Sequence, residues 1–474
     1  MTYLKKNLIF VFALIASFMQ AQNGHDIKIK VAGYNNDTLL LAYFYGDKEL
    51  ILDTVYALQP GVFEHKGDTT LHPGVYLGMV FPSKEYFQFL VNDKDQHFTL
   101  ETAYDSISKV KAVGSLDNEI FYKYLNYIAE KNKEAQELDE KKKKLMEANA
   151  GVDSIDNAIE KLNEEVNQYQ LDIIKKYPDL LTSMMIKAYR DIEIPEFEGT
   201  EKEKQLKRYY YYKKHYFDNI DFHHPAILYT PFIHQKIETY LDKLVVPVPD
   251  SINVAIDSLL AKMPLQSEVW RYYVSYFLNK YARSNIIGMD AVYVHMAQQY
   301  YGKGLTPWVK EKTLIRILDN ALRMENVLIG KKAPDIELYK QDGTPVKIGD
   351  IDAKYLVLVF WKPDCGHCRH AMPHIVEFAK KYKDKGVKVV SICTKMKDKI
   401  KKCWEGVKDL NMQYLDYNLG DEHNKSNFHA EYNIMVTPTI FILDKDKKIL
   451  IKQIPAEKLG EIMDRIMEDE NKEK

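Results

Sequence analysis

The 474-residue sequence predicts a multidomain chain: an N-terminal β-sandwich, an α-helical middle and a C-terminal α/β module. Three observations carry that division. Residues 25–112 alternate and turn as short strands, spaced roughly 8–12 residues apart. From Asp117 to about Met324 the apolar periodicity is helical and is interrupted by prolines. Beyond Tyr355 an unbroken apolar run leads into Cys365-Gly366-His367-Cys368, and a second helical pattern follows.

At the N-terminus, Lys5 and Lys6 precede an apolar stretch at residues 8–19, and Ala21 offers a small residue for cleavage. This reads as a secretory signal peptide, residues 1–21, because the run is short against the ~20 residues that span a bilayer. No cysteine follows Ala21 to take a lipid anchor, and no other segment is long and apolar enough to cross a membrane. The expectation is a soluble exported chain with no membrane span after cleavage. Its net charge of −2 leaves no electrostatic footprint for nucleic acid.

The β-sandwich is placed at residues 25–115. Its seven strands are expected at 26–31, 38–44, 50–58, 61–67, 74–81, 86–91 and 96–101, with Asn35-Asn36-Asp37 and Pro60-Gly61 as turns. The helical part spans 116–327. Helices 118–148 and 156–176 form a long charged hairpin broken at Asn149-Ala150-Gly151, with Asp117 and Ser154 as N-caps. Its distal half is too charged to be buried, and its few apolar residues, Leu138, Leu145, Met146, Ile155, Ile159, Leu162 and Val166, pair the two helices first. Contact with a second copy, giving a homodimer, is the alternative use of that arm. The lysine run 141–144 reads as a solvated face. Tyr209–Tyr212, Tyr272, Tyr273 and Tyr276 read as packing, with a peptide-binding groove as the sharper alternative. His223, His224, His234 and His295 match no ligand spacing, so no metal is expected, and Gly302-Lys303-Gly304 reads as a helix stop rather than a nucleotide loop.

The chemistry is concentrated in residues 365–368. A buried strand ending in C-x-x-C places the first thiol at a helix N-terminus, where free N–H groups and the helix dipole stabilise a thiolate. Two cysteines on one turn can close and reopen a small disulfide. Half of a zinc site looks the same, but Cys393 and Cys403 bring no second C-x-x-C or H-x-x-x-H. They read first as two buried thiols, with a second disulfide as the alternative in an oxidising compartment. Further strands are expected at 387–392, 412–415, 434–443 and 448–454, with a closing helix at 457–467. Thr437-Pro438 falls at a strand entrance, where a missing ladder donor is tolerated and a cis bond is expected.

Three segments, GKKAPDIEL with QDGTPVKI (330–348), LVLVFWKPDCGHCRHAMP (356–373) and VTPTIFILD (436–444), resemble the thioredoxin fold of the TlpA/ResA type of extracytoplasmic thiol–disulfide oxidoreductase. The resemblance spans roughly 328–470 and places a thioredoxin-like domain at 328–474, after a linker near 329–334. It implies that Cys365 is the attacking thiol and Cys368 the resolving thiol of a redox-active Cys365–Cys368 disulfide. It further implies Pro438 as the cis-proline against the cysteines and Pro373 as a kink in the active-site helix. Trp361, Gly366, His367 and Thr437 are the expected supporting residues. The sequence departs from the family at Asp364, where Trp is usual, at Val359, where a buried acid is usual, and at Ala371, where Glu is frequent. Asp364 is expected to raise the thiol pKa, and His367 to lower it. Gly366-His367 resembles the dipeptide of protein disulfide isomerases, implying a pair easier to reduce than thioredoxin's. A peroxidatic P-x-x-x-T/S-x-x-C site is excluded, because Pro363 lies only two residues before Cys365.

Residues 25–112 resemble, through IKIKVAG, DTV, PGVYL and the closing VGSLDNEIF, an uncharacterised β-rich domain that precedes such modules. The middle resembles, through NKYARS and GMDAVYVHMA, a helical region of unknown function. The function expected is an exported, periplasmic enzyme exchanging disulfides with protein substrates, served by an upstream envelope redox partner and needing no cofactor. Alternatives are a disulfide isomerase, or a binding or assembly protein of the envelope whose redox module is ancillary.

Overall fold

The computed structural model describes residues 24–472, so the expected signal peptide, residues 1–21, lies outside the described residues. The chain divides into two compact units, one reaching Tyr240 and one formed by Leu241–Lys474. Strand gives way to helix between Val113 and Leu116, and the last helix before the C-terminal sheet ends at Glu325, whereas compactness divides the helical middle itself.

In the first unit, eight strands form one hydrogen-bonded order: β1 (His25–Ala32), β2 (Thr38–Tyr45), β3 (Lys48–Gln59), β4 (Val62–Gly67), β5 (Gly74–Met79), β6 (Tyr86–Val91), β7 (His97–Ala103) and β8 (Lys111–Val113). The order is β6-β5-β2-β3-β4-β1-β7-β8. The long β3 pairs with β2 up to Tyr56 and then, from Ala57, with β4, across an irregularity between Ala57 and Gln59, so one strand serves two layers. Phe89 on β6 and Phe98 on β7 stand far apart in that order yet meet at 6.2 Å, which is how the two halves face each other as a sandwich. The sequence reading missed β8, whose three residues are too short to show a period.

The hairpin is α1 (Leu116–Glu147) and α2 (Asp153–Lys176). The Tyr127 and Tyr169 rings meet at 4.0 Å, tilted by 35°, Lys131 bonds Glu165 at 2.8 Å, and Lys142 bonds Asp156 at 2.6 Å, so the two helices pair with each other. The expected caps are corrected. Ser115, not Asp117, caps α1 by accepting from the Asn118 N–H, and Val152 rather than Ser154 precedes α2. Asp117 is instead fully buried, and its carboxylate accepts from Asn92 Nδ2, the Leu181 and Thr182 N–H groups and Thr182 Oγ1 at 2.6–2.9 Å. It ties α1 to the start of α3 (Leu181–Tyr189). The unit ends with α4 (Glu201–His215) and α5 (Phe232–Thr239).

The second unit opens with α6 (Pro249–Leu260), α7 (Glu268–Ala282), α8 (Asp290–Met296) and α9 (Glu311–Glu325). The sheet that follows comprises β9 (Glu337–Tyr339), β10 (Pro345–Lys347), β11 (Tyr355–Trp361), β12 (Val387–Cys393), β13 (Tyr417–Gly420), β14 (Thr439–Leu443) and β15 (Ile449–Lys452). Their order is β10-β9-β13-β12-β11-β14-β15. Helices α10 (Gly366–Tyr382), α11 (Lys401–Asp409), α12 (Phe428–Glu431) and α13 (Leu459–Lys472) complete it. β11 runs parallel to β12 and antiparallel to β14, and all seven of its residues are buried. Tyr355, Val357, Val359 and Trp361 enter one core; Leu356, Leu358 and Phe360 enter the core on the other face. A strand with both faces covered needs this continuous apolar run.

Two expected strands are corrected. Residues 412–414 form a tight turn after left-handed Asn411, and β13 starts only at Tyr417. Residues 434–438 stay outside the sheet, since Pro438 brings no N–H, and β14 starts at Thr439. Lys452 on β15, 2% exposed, pairs with Asp290 of α8 and donates to the Val327 carbonyl at 2.6 Å. Among the described residues no helix is long and apolar enough to cross a membrane.

Because Asp117 satisfies four donors in a buried setting, Asp117→Ala is expected to destabilise the protein by about 3 kcal/mol or more. Asp117→Asn, which keeps an acceptor oxygen, should cost less. The urea midpoint of the far-ultraviolet circular dichroism transition measures both.

Candidate active site

Strand β11 ends at Trp361, and the Trp361 carbonyl is held by both the N–H and the hydroxyl of Thr394, at 2.8 and 3.2 Å. The chain leaves the sheet there, and four residues on, Cys365 stands as the residue preceding α10 with extended dihedrals. Its carbonyl accepts the first helical bond from Arg369 at 3.0 Å. Cys365 is partly exposed, while Cys368, one turn into the helix, is completely buried, and both are free thiols. The Thr437–Pro438 bond is cis, and the Thr437 carbonyl oxygen lies 3.3 Å from Cys365 Sγ.

This geometry separates the two thiols chemically. Partial burial of Cys365 opposes its ionisation. Hydrogen bonds from the Cys368 thiol, the Cys368 N–H, the Thr437 hydroxyl and the His367 N–H outweigh it, so its pKa falls below the ordinary thiol value. Burial pushes Cys368 up to about 11, and giving its hydrogen bond to Cys365 also favours its protonated form. One sulfur is therefore poised as a nucleophile, and the other holds its proton.

The supporting residues sort as follows. Trp361 is fully buried, its ring wedged against Gly406 of α11 together with Pro363. His367 is exposed and acts on Cys365 through its backbone N–H. Gly366 starts α10 with nothing within 4 Å of where a Cβ would stand, so packing does not require glycine there. Pro373 lies inside α10 and withholds one helical N–H. Asp364 does not bear on the thiol as a bare charge. Lys395 bonds it at 2.6 Å, and that bond holds its carboxyl below the usual range. Val359 is buried with no titratable atom to offer Cys368.

Cys393 and Cys403 are joined as a disulfide with an S–S length of 2.03 Å, which corrects their reading as two thiols. The ten-residue spacing gave no sign of it, because only the fold brings the end of β12 over α11. Sequence reading also passed over one H-x-x-x-H spacing. His370 and His374 of α10 converge with Glu457, their ligand atoms lying within 4.8 Å of one another. His295, by contrast, is engaged with Asp257 at 2.9 Å.

A half-exposed, acidified thiol and a buried partner at a helix N-terminus facing a cis-proline loop define a thioredoxin-fold thiol–disulfide oxidoreductase. Residues 329–451 match the AhpC/TSA family, and residues 129–326 match a domain of unknown function, DUF5106. The thiol-disulfide oxidoreductase ResA of Bacillus anthracis is 30% identical over 138 residues, 29% of this chain and 75% of that protein. ResA of Bacillus thuringiensis subsp. konkukian is 29% identical over 144 residues, 30% of this chain and 79% of that protein. A solved domain of a possible thiol-disulfide isomerase from Cytophaga hutchinsonii is 29% identical, covering 31% of this chain and 97% of its own, with a TM-score of 0.28. Through its C-terminal module the chain belongs to the ResA family of thiol-disulfide oxidoreductases.

Two measurements test the site. Alkylation of the reduced protein by iodoacetamide should follow a single ionisation below the ordinary thiol pKa of about 8.5 and slow as pH falls through it, since protonation removes the thiolate. A Cβ at Gly406 would stand 2.9 Å from the buried Trp361 ring and 3.1 Å from Pro363. Gly406→Ala should therefore lower stability by roughly 1–2 kcal/mol despite its gain in helix propensity, read as a fall in Tm.

Proposed function

We propose that this chain is an exported enzyme that exchanges disulfides with protein substrates through Cys365 and Cys368. The observation that carries the reading is the opposite tuning of two neighbouring sulfurs, one lowered in pKa and half-exposed, one raised and buried. In the reducing direction, the Cys365 thiolate attacks a substrate disulfide, forming a mixed disulfide and expelling one substrate thiolate. Cys368, on losing its proton, attacks Cys365 Sγ and expels the second. The substrate gains two electrons as two thiols, and the enzyme, having given them up, is left as the Cys365–Cys368 disulfide, which an upstream dithiol partner reduces again. Run backwards, the same steps donate a disulfide. Thr437 and Pro438, with Met435 and Val436 exposed beside them, supply the backbone and apolar surface for an extended substrate segment.

Export is supported by the Cys393–Cys403 disulfide, which is fully buried and suits an oxidising compartment, and by the signal-peptide pattern of residues 1–21. On this reading the site of action is the periplasm or another exported location.

Cys365→Ser is expected to abolish reduction of insulin disulfides, and Cys368→Ser to accumulate a mixed disulfide visible on non-reducing gels. Full activity in both variants would sink the mechanism.

A further inference from the structure

We infer that His370, His374 and Glu457 form a binding site for a divalent transition-metal ion of the zinc class, on the outer face of the helix that carries the cysteines. The two histidines are four residues apart on α10, so their rings rise from one face of the helix on successive turns. Glu457 reaches them from the short turn Ala456–Lys458. Each residue offers one ligand atom, and the three lie within 4.8 Å of one another, with His370 Nε2 at 3.9 Å from Glu457 Oε1. Ligands bonded at about 2.0–2.1 Å in a tetrahedral shell lie roughly 3.3–3.4 Å apart. The difference is within reach of a small torsion of His370 and Glu457, which are exposed and free to turn.

The platform is rigid where rigidity matters. Ala456, next to Glu457, is buried in the same core as Met372, Ile375 and Val376 of α10, so turn and helix are fixed to each other before any ion arrives. The neighbouring Lys458 is engaged by Glu461 at 2.8 Å and does not occupy the Glu457 carboxylate. Two imidazoles and a carboxylate suit a borderline ion such as Zn²⁺ or Co²⁺ and leave at least one position open to water or a substrate group. Cys365 and Cys368 are no part of it: Cys368 points into the core, on the side of α10 away from the exposed His370. An ion bound there would brace α10 to the turn before α13, close behind the active-site end of the helix.

The test uses the full, tag-free chain with the Cys365–Cys368 disulfide closed, so that thiols cannot ligate. Titration with Zn²⁺ alone in a calorimeter should show one site of micromolar affinity and a rise in Tm with Zn²⁺ concentration. Titration with Co²⁺ should give the visible bands of a four- or five-coordinate ion. His370→Ala, His374→Ala and Glu457→Gln should each weaken binding at least about tenfold, while His223→Ala, a solvent-facing control, leaves it unchanged. Absence of binding below about 1 mM, or affinity unaltered in both histidine variants, would overturn the assignment. Insulin reduction by Cys365 proceeds by thiol exchange without the ion, so failure of the metal site and failure of the redox reading are separately visible.

Discussion

The burial of β11 on both faces is the constraint from which the active site follows. Four side chains anchor it in one core and three in the other, so the strand can neither slide nor rotate without exposing several of them. Each such side chain contributes about 1.5–3 kcal/mol when fully buried. The point at which the chain leaves the sheet is thereby fixed, and Thr394 holds the final carbonyl from the neighbouring strand. Cys365 inherits its place from that exit. The helix it begins then supplies the N–H groups that favour its thiolate, so one apolar strand sets both the position and the reactivity of the nucleophile.

The polar surroundings of the site show how departures from a family pattern are absorbed. A carboxylate directly before the nucleophile ought to oppose a thiolate, but Asp364 carries its own counter-ion in Lys395. Replacement of a buried acid by Val359 is different in kind, since nothing nearby on that strand takes over proton transfer from Cys368. In the proposed mechanism Cys368, whose burial raises its pKa, is the thiol that still carries its proton when Cys365 attacks.

Much of the architecture was legible because it was written in periodicity. The all-apolar run of β11, the hairpin break at Asn149–Gly151 and the C-x-x-C at a helix start all follow from local residue choice. What escaped depended on partners distant in sequence. Asp117 looks like a cap, and only the approach of Leu181 and Thr182 makes it a buried acceptor of four bonds. Cys393 and Cys403 look like separate thiols until α11 crosses the end of β12. Met412 looks like strand because it is apolar, yet it plugs the core from a turn, with Asn418 Nδ2 donating to its carbonyl at 2.9 Å. The spacing of His370 and His374 was in plain view; its third ligand was eighty-three residues away.

The buried ammonium of Lys452 has a consequence for where this protein can be cut. Burial lowers its pKa, and Asp290 partly restores it. Both of its partners, the Asp290 carboxylate and the Val327 carbonyl, precede residue 328, while Lys452 itself sits on the sheet beside the catalytic strands. A recombinant fragment beginning at 328 would therefore contain every residue of the C-x-x-C chemistry and yet lack the groups that neutralise its own interior. Cutting the chain at 328 would thus leave Lys452 buried without either of its partners, so the sheet of the redox module and helix α8 before it share one buried charge.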